Sequence, residues 1–89
     1  MRYITSKENK IYKEAKRLLT HSHRVKNNLF LAEGVRIVTD AIKSNAAKYV
    51  ILSESYAGMQ PEISTFFFSD RLFSEISDTQ NSKGIIAVC

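Results

Sequence analysis

The sequence predicts an α/β protein: a three-layer α/β/α sandwich around a mainly parallel, four-stranded sheet. Three observations lead there. Four short apolar runs (Leu29–Ala32, Tyr49–Leu52, Thr65–Phe68 and Ile85–Val88) have strand length and no polar alternation, the pattern of strands buried on both faces. Helical spacing of apolar residues recurs between them. Strand, helix and strand follow one another within about 25 residues from Leu29 to Leu52, a βαβ unit whose strands should run parallel through a right-handed crossover. At 89 residues the chain is one domain with a thin core, and 44% apolar, 10% aromatic and 25% charged residues are those of an ordinary globular protein.

The elements follow in order. Thr5-Ser6-Lys7-Glu8 reads as a capping box, so the first helix should begin there. Ile11, Ala15, Leu18 and Leu19 share one face of that helix, leaving Lys7, Lys10, Lys13 and Arg17 on the other. Residues 20–28, with His21, His23, Arg24 and Lys26, lack periodicity and are rich in turn formers, which predicts a loop. Leu29–Ala32 is the first strand, closed by Glu33-Gly34. Val35, Val38, Ala41 and Ile42 then predict a second helix running to about Ser44-Asn45, before the strand at Tyr49–Leu52. Ser53 to Ser64 is a connection with one helical turn at Glu54 to Met59. Thr65–Phe68 is the third strand, and Ser69-Asp70 caps a short helix with Leu72, Phe73 and Ile76 inward. Asp78 to Gly84 is polar, and Ile85–Val88 is the fourth strand. A chain ending on Cys89 directly after a strand reads as a fragment of a longer α/β protein.

Charge is unevenly spread. Residues 1–36 hold nine Lys/Arg against three acids, a net of +6, whereas the remainder holds four against six, a net of −2. A strongly basic first third is the footprint of a polyanion-binding face. No apolar run approaches the ~20 residues that span a bilayer, and the first residues lack the apolar core of a secretory signal. The single cysteine cannot form an internal disulfide, and with only two histidines a zinc or iron–sulfur site has too few ligands. A cytoplasmic, reducing compartment fits.

Catalytic constellations are missing. Gly34, Gly58 and Gly84 lie in separate connections and form neither a P-loop nor a dinucleotide fingerprint. His21 and His23 sit among cations, away from any nucleophile elbow, and read as phosphate contacts or solvated side chains. Glu33 has two readings: a ligand-binding acid at the carboxyl end of the sheet, or a partner for the N-terminal dipole of the following helix. Tyr3 and Tyr12 could stack on bases, though Tyr12 suits packing against the sheet.

The segments Ile4-Thr5-Ser6-Lys7-Glu8-Asn9-Lys10, Arg24, Phe30-Leu31-Ala32-Glu33-Gly34-Val35-Arg36, Ile76-Ser77-Asp78-Thr79 and Gly84-Ile85-Ile86-Ala87-Val88 together resemble the N-terminal substrate-binding domain of SpoU/TrmH-type RNA 2'-O-ribose methyltransferases. The likeness spans nearly the whole chain. It implies the α/β fold of the kink-turn-binding ribosomal proteins, RNA (ribosomal or transfer) as the partner, and no membrane. It also implies a following knotted catalytic domain that binds S-adenosylmethionine and mediates homodimerisation, so that this chain alone would be inactive. By that resemblance and the charge pattern, Lys7, Lys10, Lys13, Arg17, His23, Arg24, Lys26 and Arg36 face RNA, Glu33-Gly34 is a strand-to-helix hallmark, and no catalytic or metal residue lies in this chain. Asn81-Ser82-Lys83-Gly84 departs from the family's Thr-Pro-x-Gly at the junction with the catalytic domain by lacking the proline. Two other classes fit the residues: a stand-alone RNA-binding ribonucleoprotein component, and a protein–protein interaction domain whose basic face meets an acidic partner.

Overall fold

Every residue of Tyr49–Ser53 and of Ile85–Val88 is buried, so the middle of the sheet has to be covered on both faces. In this computed structural model, which describes residues 3–77 and 83–89, that cover comes from helices on either side. The order is β1 (Tyr3–Ile4), α1 (Lys10–Arg17), α2 (His21–Asn27), β2 (Leu31–Glu33), α3 (Val35–Lys43), β3 (Tyr49–Ser53), β4 (Thr65–Phe68), α4 (Asp70–Ile76) and β5 (Ile85–Val88). On one face α1 and α4 place Tyr12, Ala15, Leu18, Leu72, Phe73 and Ile76 against Tyr49, Ile51, Phe68, Ile86 and Val88. On the other, Val38, Ala41 and Ile42 of α3, with Tyr56 and Ile63, cover Val50, Leu52, Ile85 and Ala87. Alternate residues of each central strand thus serve opposite layers. No helix among the described residues is long and apolar enough to cross a membrane.

The α/β class and the helices on both faces agree with the sequence, but the sheet does not. It has five strands, ordered β1-β4-β3-β5-β2, and is mixed rather than mainly parallel and four-stranded. Strands β1, β4 and β3 pair in parallel, whereas β5 runs antiparallel to both β3 and β2. Within the expected βαβ unit, β2 and β3 do point the same way, yet β5 lies between them. The α3 crossover therefore spans a gap of one strand, and a segment from the far end of the chain fills it. Local apolar pattern fixes the existence of strands but carries no information on this order. The added strand, Tyr3–Ile4, is too short to show a pattern; it is held by parallel pairing with Phe67–Phe68.

Four further corrections concern local structure. Helix α1 starts at Lys10, not at Thr5: Asn9 is its N-cap, with Oδ1 accepting from the Ile11 amide at 2.8 Å. Ser6 instead closes a turn, its Oγ accepting from the Glu8 amide at 3.1 Å. The expected loop at 20–28 contains the helix α2, ended by Asn28 in the left-handed region at φ 55°. It has no buried residue, so no apolar period announced it. Leu29–Ala32 is displaced to Leu31–Glu33 at the edge of the sheet, with Phe30 outside the strand and half exposed. The helical turn expected at Glu54 to Met59 is absent; a turn at Glu54-Ser55 leads instead into irregular chain curled round Tyr56, whose hydroxyl donates to the Met59 carbonyl at 2.9 Å.

Other elements stand as read. Ser69 caps α4, accepting from the Leu72 amide at 3.3 Å, and Leu72, Phe73 and Ile76 point inward. Tyr12 packs on Phe68 with ring centroids 6.0 Å apart. Gly84, at φ 82° and directly before β5, lies so close to Ser53 that a Cβ would meet its Oγ at 2.5 Å. The polar stretch from Asp78 onward, with Asn81-Ser82, lies mostly outside the described residues.

The Asn9 cap is directly testable. Asn9→Ala should lower unfolding free energy by about 1 kcal/mol in urea titration, whereas Thr5→Ala should change it by less than about 0.5 kcal/mol.

Candidate nucleic-acid interface

The orientation of α1 follows from its buried face. With Tyr12, Ala15 and Leu18 turned to the sheet, Lys10, Lys13 and Arg17 are carried outward at i, i+3, i+7 and form one exposed stripe. Lys7 precedes the helix and is engaged by α4, its Nζ lying 3.1 Å from Glu75 Oε1. Lys16 Nζ donates to the Glu75 carbonyl at 3.2 Å. Lys13 pairs with Glu8 at 3.2 Å, but the Glu8 side chain is 86% exposed, so the pair is weak and easily exchanged for another anion. Among the described residues Lys10 and Arg17 have no ion-pair partner.

Two acids near the stripe, Glu75 and Glu14, accept from tyrosine hydroxyls. Tyr12 donates to Glu75 Oε1 at 3.0 Å, and Tyr49 donates to Glu14. Above all the Lys7 ammonium, against partial desolvation and aided by the Tyr12 hydroxyl, holds Glu75 below the ordinary carboxylate range. Burial and then the Glu14 carboxylate push the Tyr49 hydroxyl up. Tyr3, which donates to Glu54, is pushed up to about 12 by that bond.

Helix α2 extends the basic surface beyond the end of α1. Lys26 and His21 are exposed, and His23 Nδ1 lies 2.7 Å from Thr20 Oγ1. Arg24 has a structural task that the sequence reading did not assign. Its Nη1 donates to the carbonyls of Leu18 at 3.1 Å and Leu19 at 3.4 Å, where α1 ends and leaves acceptors unpaired. The guanidinium also lines a cleft of about 260 Å³ with Leu18, Leu19, Phe30, Leu31 and Glu33.

Arg36 does not join this group. It is exposed on α3, in the layer on the opposite face of the sheet from α1. Gly34 is the N-cap of α3 at φ 102°, a conformation L side chains rarely adopt, which accounts physically for glycine directly after the strand. Of the predicted residues, the structure thus gathers Lys10, Lys13, Arg17, His23, Arg24 and Lys26 along α1 and α2, ties Lys7 to α4, and sets Arg36 apart.

Comparison with known proteins places the chain in a family. A family profile described as the MRM3-like substrate binding domain matches residues 9–87. The chain belongs to the MRM3-like substrate binding domain family. It is 32% identical over 93 aligned residues to the 23S rRNA (guanosine(2553)-2'-O)-methyltransferase RlmP of Bacillus subtilis (strain 168), covering 100% of this chain and 38% of that protein. It superposes on a crystal structure of an RNA 2'-O ribose methyltransferase with a TM-score of 0.76 at 27% identity, over 97% of this chain and 36% of that one. The fold also matches the AdoMet-bound rRNA methyltransferase of Sinorhizobium meliloti, with a TM-score of 0.72 at 21% identity over 97% of this chain and 35% of that one. The MRM3-like domain therefore spans little more than a third of the length of these relatives.

A hollow between α3 and residues 56–62 is lined by apolar Val38, Ile42 and Met59 and by polar Thr39, Lys43 and Glu62. What sequence reasoning missed was the cleft at β2, because Leu18, Arg24 and Glu33 meet only once β2 becomes an edge strand.

Two outcomes check this arrangement. Because the folded-state pKa of Glu75 is depressed, its contribution is present above the ordinary value of 4.5 and is lost as pH falls through the folded value. Glu75→Gln should therefore be less stable than wild type at pH 7, with the difference closing below pH 4.5 in denaturant titrations across pH. Arg24→Lys, which loses the fork, should lower stability by about 1 kcal/mol at neutral pH.

Proposed function

We propose that the chain is the RNA-recognition part of an S-adenosylmethionine-dependent RNA 2'-O-ribose methyltransferase acting on ribosomal or transfer RNA. Catalysis and cofactor binding belong to a separate domain of the whole protein, through which it forms a homodimer in the cytoplasm. The observation that carries the reading is the exposed stripe Lys10, Lys13 and Arg17 on α1, continued by Lys26 on α2, with Glu14 and Glu75 engaged by tyrosines and Lys7. Structured RNA is held mostly through phosphates and 2'-hydroxyls, for which flexible ammonium groups and forked guanidiniums are suitable donors. The kinship with RlmP and with a solved RNA 2'-O ribose methyltransferase supports the same conclusion. The family's resemblance to kink-turn-binding ribosomal proteins extends the proposal to folded rather than purely single-stranded RNA.

Salt dependence tests it. If Lys10, Lys13, Arg17 and Lys26 each neutralise one phosphate, log K for an rRNA fragment should fall against log salt with a slope of roughly −2.8 to −3.6. The double variant Lys10→Ala/Arg17→Ala should make that slope shallower by roughly 1.4 to 1.8. A slope near zero in wild type would overturn the reading.

A further inference from the structure

Phosphate contacts position an RNA but carry no sequence information, so discrimination needs a site that can reach a base edge. The cleft at the free edge of β2 has that form. Three leucines, Leu18, Leu19 and Leu31, supply apolar surface; Arg24 and Glu33 supply opposite charges; and Phe30, 52% exposed, also lines the opening. At about 260 Å³ it is just below the roughly 300–1,000 Å³ of sites for drug-sized ligands, which suits a single base.

The backbone explains why the cleft forms there. Phe30 and Cys89 exchange both amide-to-carbonyl bonds at 2.9 Å, and the Gly34 amide donates to Ile85 at 3.1 Å. In an antiparallel pair the intervening residues, Leu31 and Glu33, turn their backbone groups away from the partner strand. Leu31 packs into the core on the α1 side of the sheet, and Glu33, two residues on, shares that side. Glu33 thereby lines the same cleft as Arg24, whose guanidinium donates through Nη1 alone among the described residues.

We propose that this cleft receives one unstacked guanine of the bound RNA, read by the Glu33 carboxylate and the Arg24 guanidinium. The assignment rests on the RNA-recognition reading and adds a sequence preference to it. Guanine alone among the four bases presents two neighbouring donors, N1–H and N2–H₂, followed by two neighbouring acceptors, O6 and N7. A carboxylate accepts from the two donors, having about four lone-pair sites in all, and the remaining guanidinium donors meet the acceptors. Adenine and cytosine each offer a single amino donor on that edge, and uracil a single N3–H. The leucines pack against the ring, and an aromatic side chain at the opening is the kind of surface on which an unstacked base rests.

Binding of labelled single-stranded RNA by the full chain, followed by fluorescence anisotropy at low salt, tests the assignment. The probes are a uridine 12-mer and the same 12-mer with one central guanosine or adenosine. The guanosine probe should bind about 5- to 150-fold tighter than the adenosine probe. Glu33→Gln, nearly isosteric and checked for an unchanged melting curve, should remove that preference while leaving uridine 12-mer binding in place. Lys10→Ala/Arg17→Ala should weaken all three probes while keeping the preference. Equal binding of the guanosine and adenosine probes, or a preference that survives Glu33→Gln, overturns the assignment. Competition by free GTP at concentrations below that of the guanosine probe also overturns it, by assigning the cleft to a mononucleotide. If wild type retains uridine 12-mer binding without a guanine preference, only the cleft assignment falls. If it binds neither these probes nor a folded rRNA fragment at low salt, the RNA-recognition reading falls with it.

Discussion

Burial of the central strands on both faces is the constraint from which the other features follow. Val50, Ile51, Ile86, Ala87 and Val88 have no exposed surface, and neighbouring residues on each strand point to opposite layers. A sheet of this kind is stable only with apolar cover on both sides. On one side that requirement orients α1, since Tyr12, Ala15 and Leu18 can be buried only if Lys10, Lys13 and Arg17 face out. The basic stripe is thus a by-product of packing as much as a surface feature. On the other side, α3 bridges β2 and β3 across β5, which leaves β2 at the edge and opens the cleft beside it.

Tyrosines set the sign of the surface. Tyr12, Tyr49 and Tyr3 each donate to a carboxylate, Glu75, Glu14 and Glu54 respectively. Glu14 lies on α1 itself, four residues before Leu18, and Glu75 faces that helix from α4. Left in solvent, both acids would partly cancel the stripe at separations within a Debye length of ~8–10 Å. Accepting from tyrosines at the sheet side turns them from the outer face. Burial of the Tyr49 ring against Phe66, with centroids 5.4 Å apart, keeps its hydroxyl in place for this.

Much of the architecture was legible, and the failures share a cause. Tyr49–Ser53, Thr65–Phe68, α4 and β5 were readable because each buries a continuous run or a clear helical face. Helix α2 was not, because it buries no residue; what holds it is local, the Thr20 carbonyl accepting from Arg24 at 3.2 Å and Asn27 Nδ2 donating to the His23 carbonyl at 2.9 Å. The sheet order was not, because pairing of Leu31 with Val88 joins the two halves of the chain and leaves no local trace. The site divides in the same way. Helical periodicity gives Lys10, Lys13 and Arg17, whereas the ion pair of Lys7 with Glu75 and the union of Arg24 with Glu33 at one cleft are tertiary facts. The distant position of Arg36 is another, since the strand-to-helix junction carries it through the sheet to the opposite layer.

Arg24 links the two halves of the proposed interface. Its Nη1 satisfies carbonyls at the end of α1, so the guanidinium that lines the cleft is also the group that fixes where the stripe stops and α2 begins. Such a bond orders the side chain before any ligand arrives, which reduces the conformational entropy lost on binding. Lysines of the stripe are not restrained in this way: they suit phosphates whose positions vary from one RNA to another. A solvated, flexible set of charges and a braced guanidinium beside a carboxylate thus divide the work, the first supplying affinity that salt screens and the second supplying a fixed pattern of donors and acceptors.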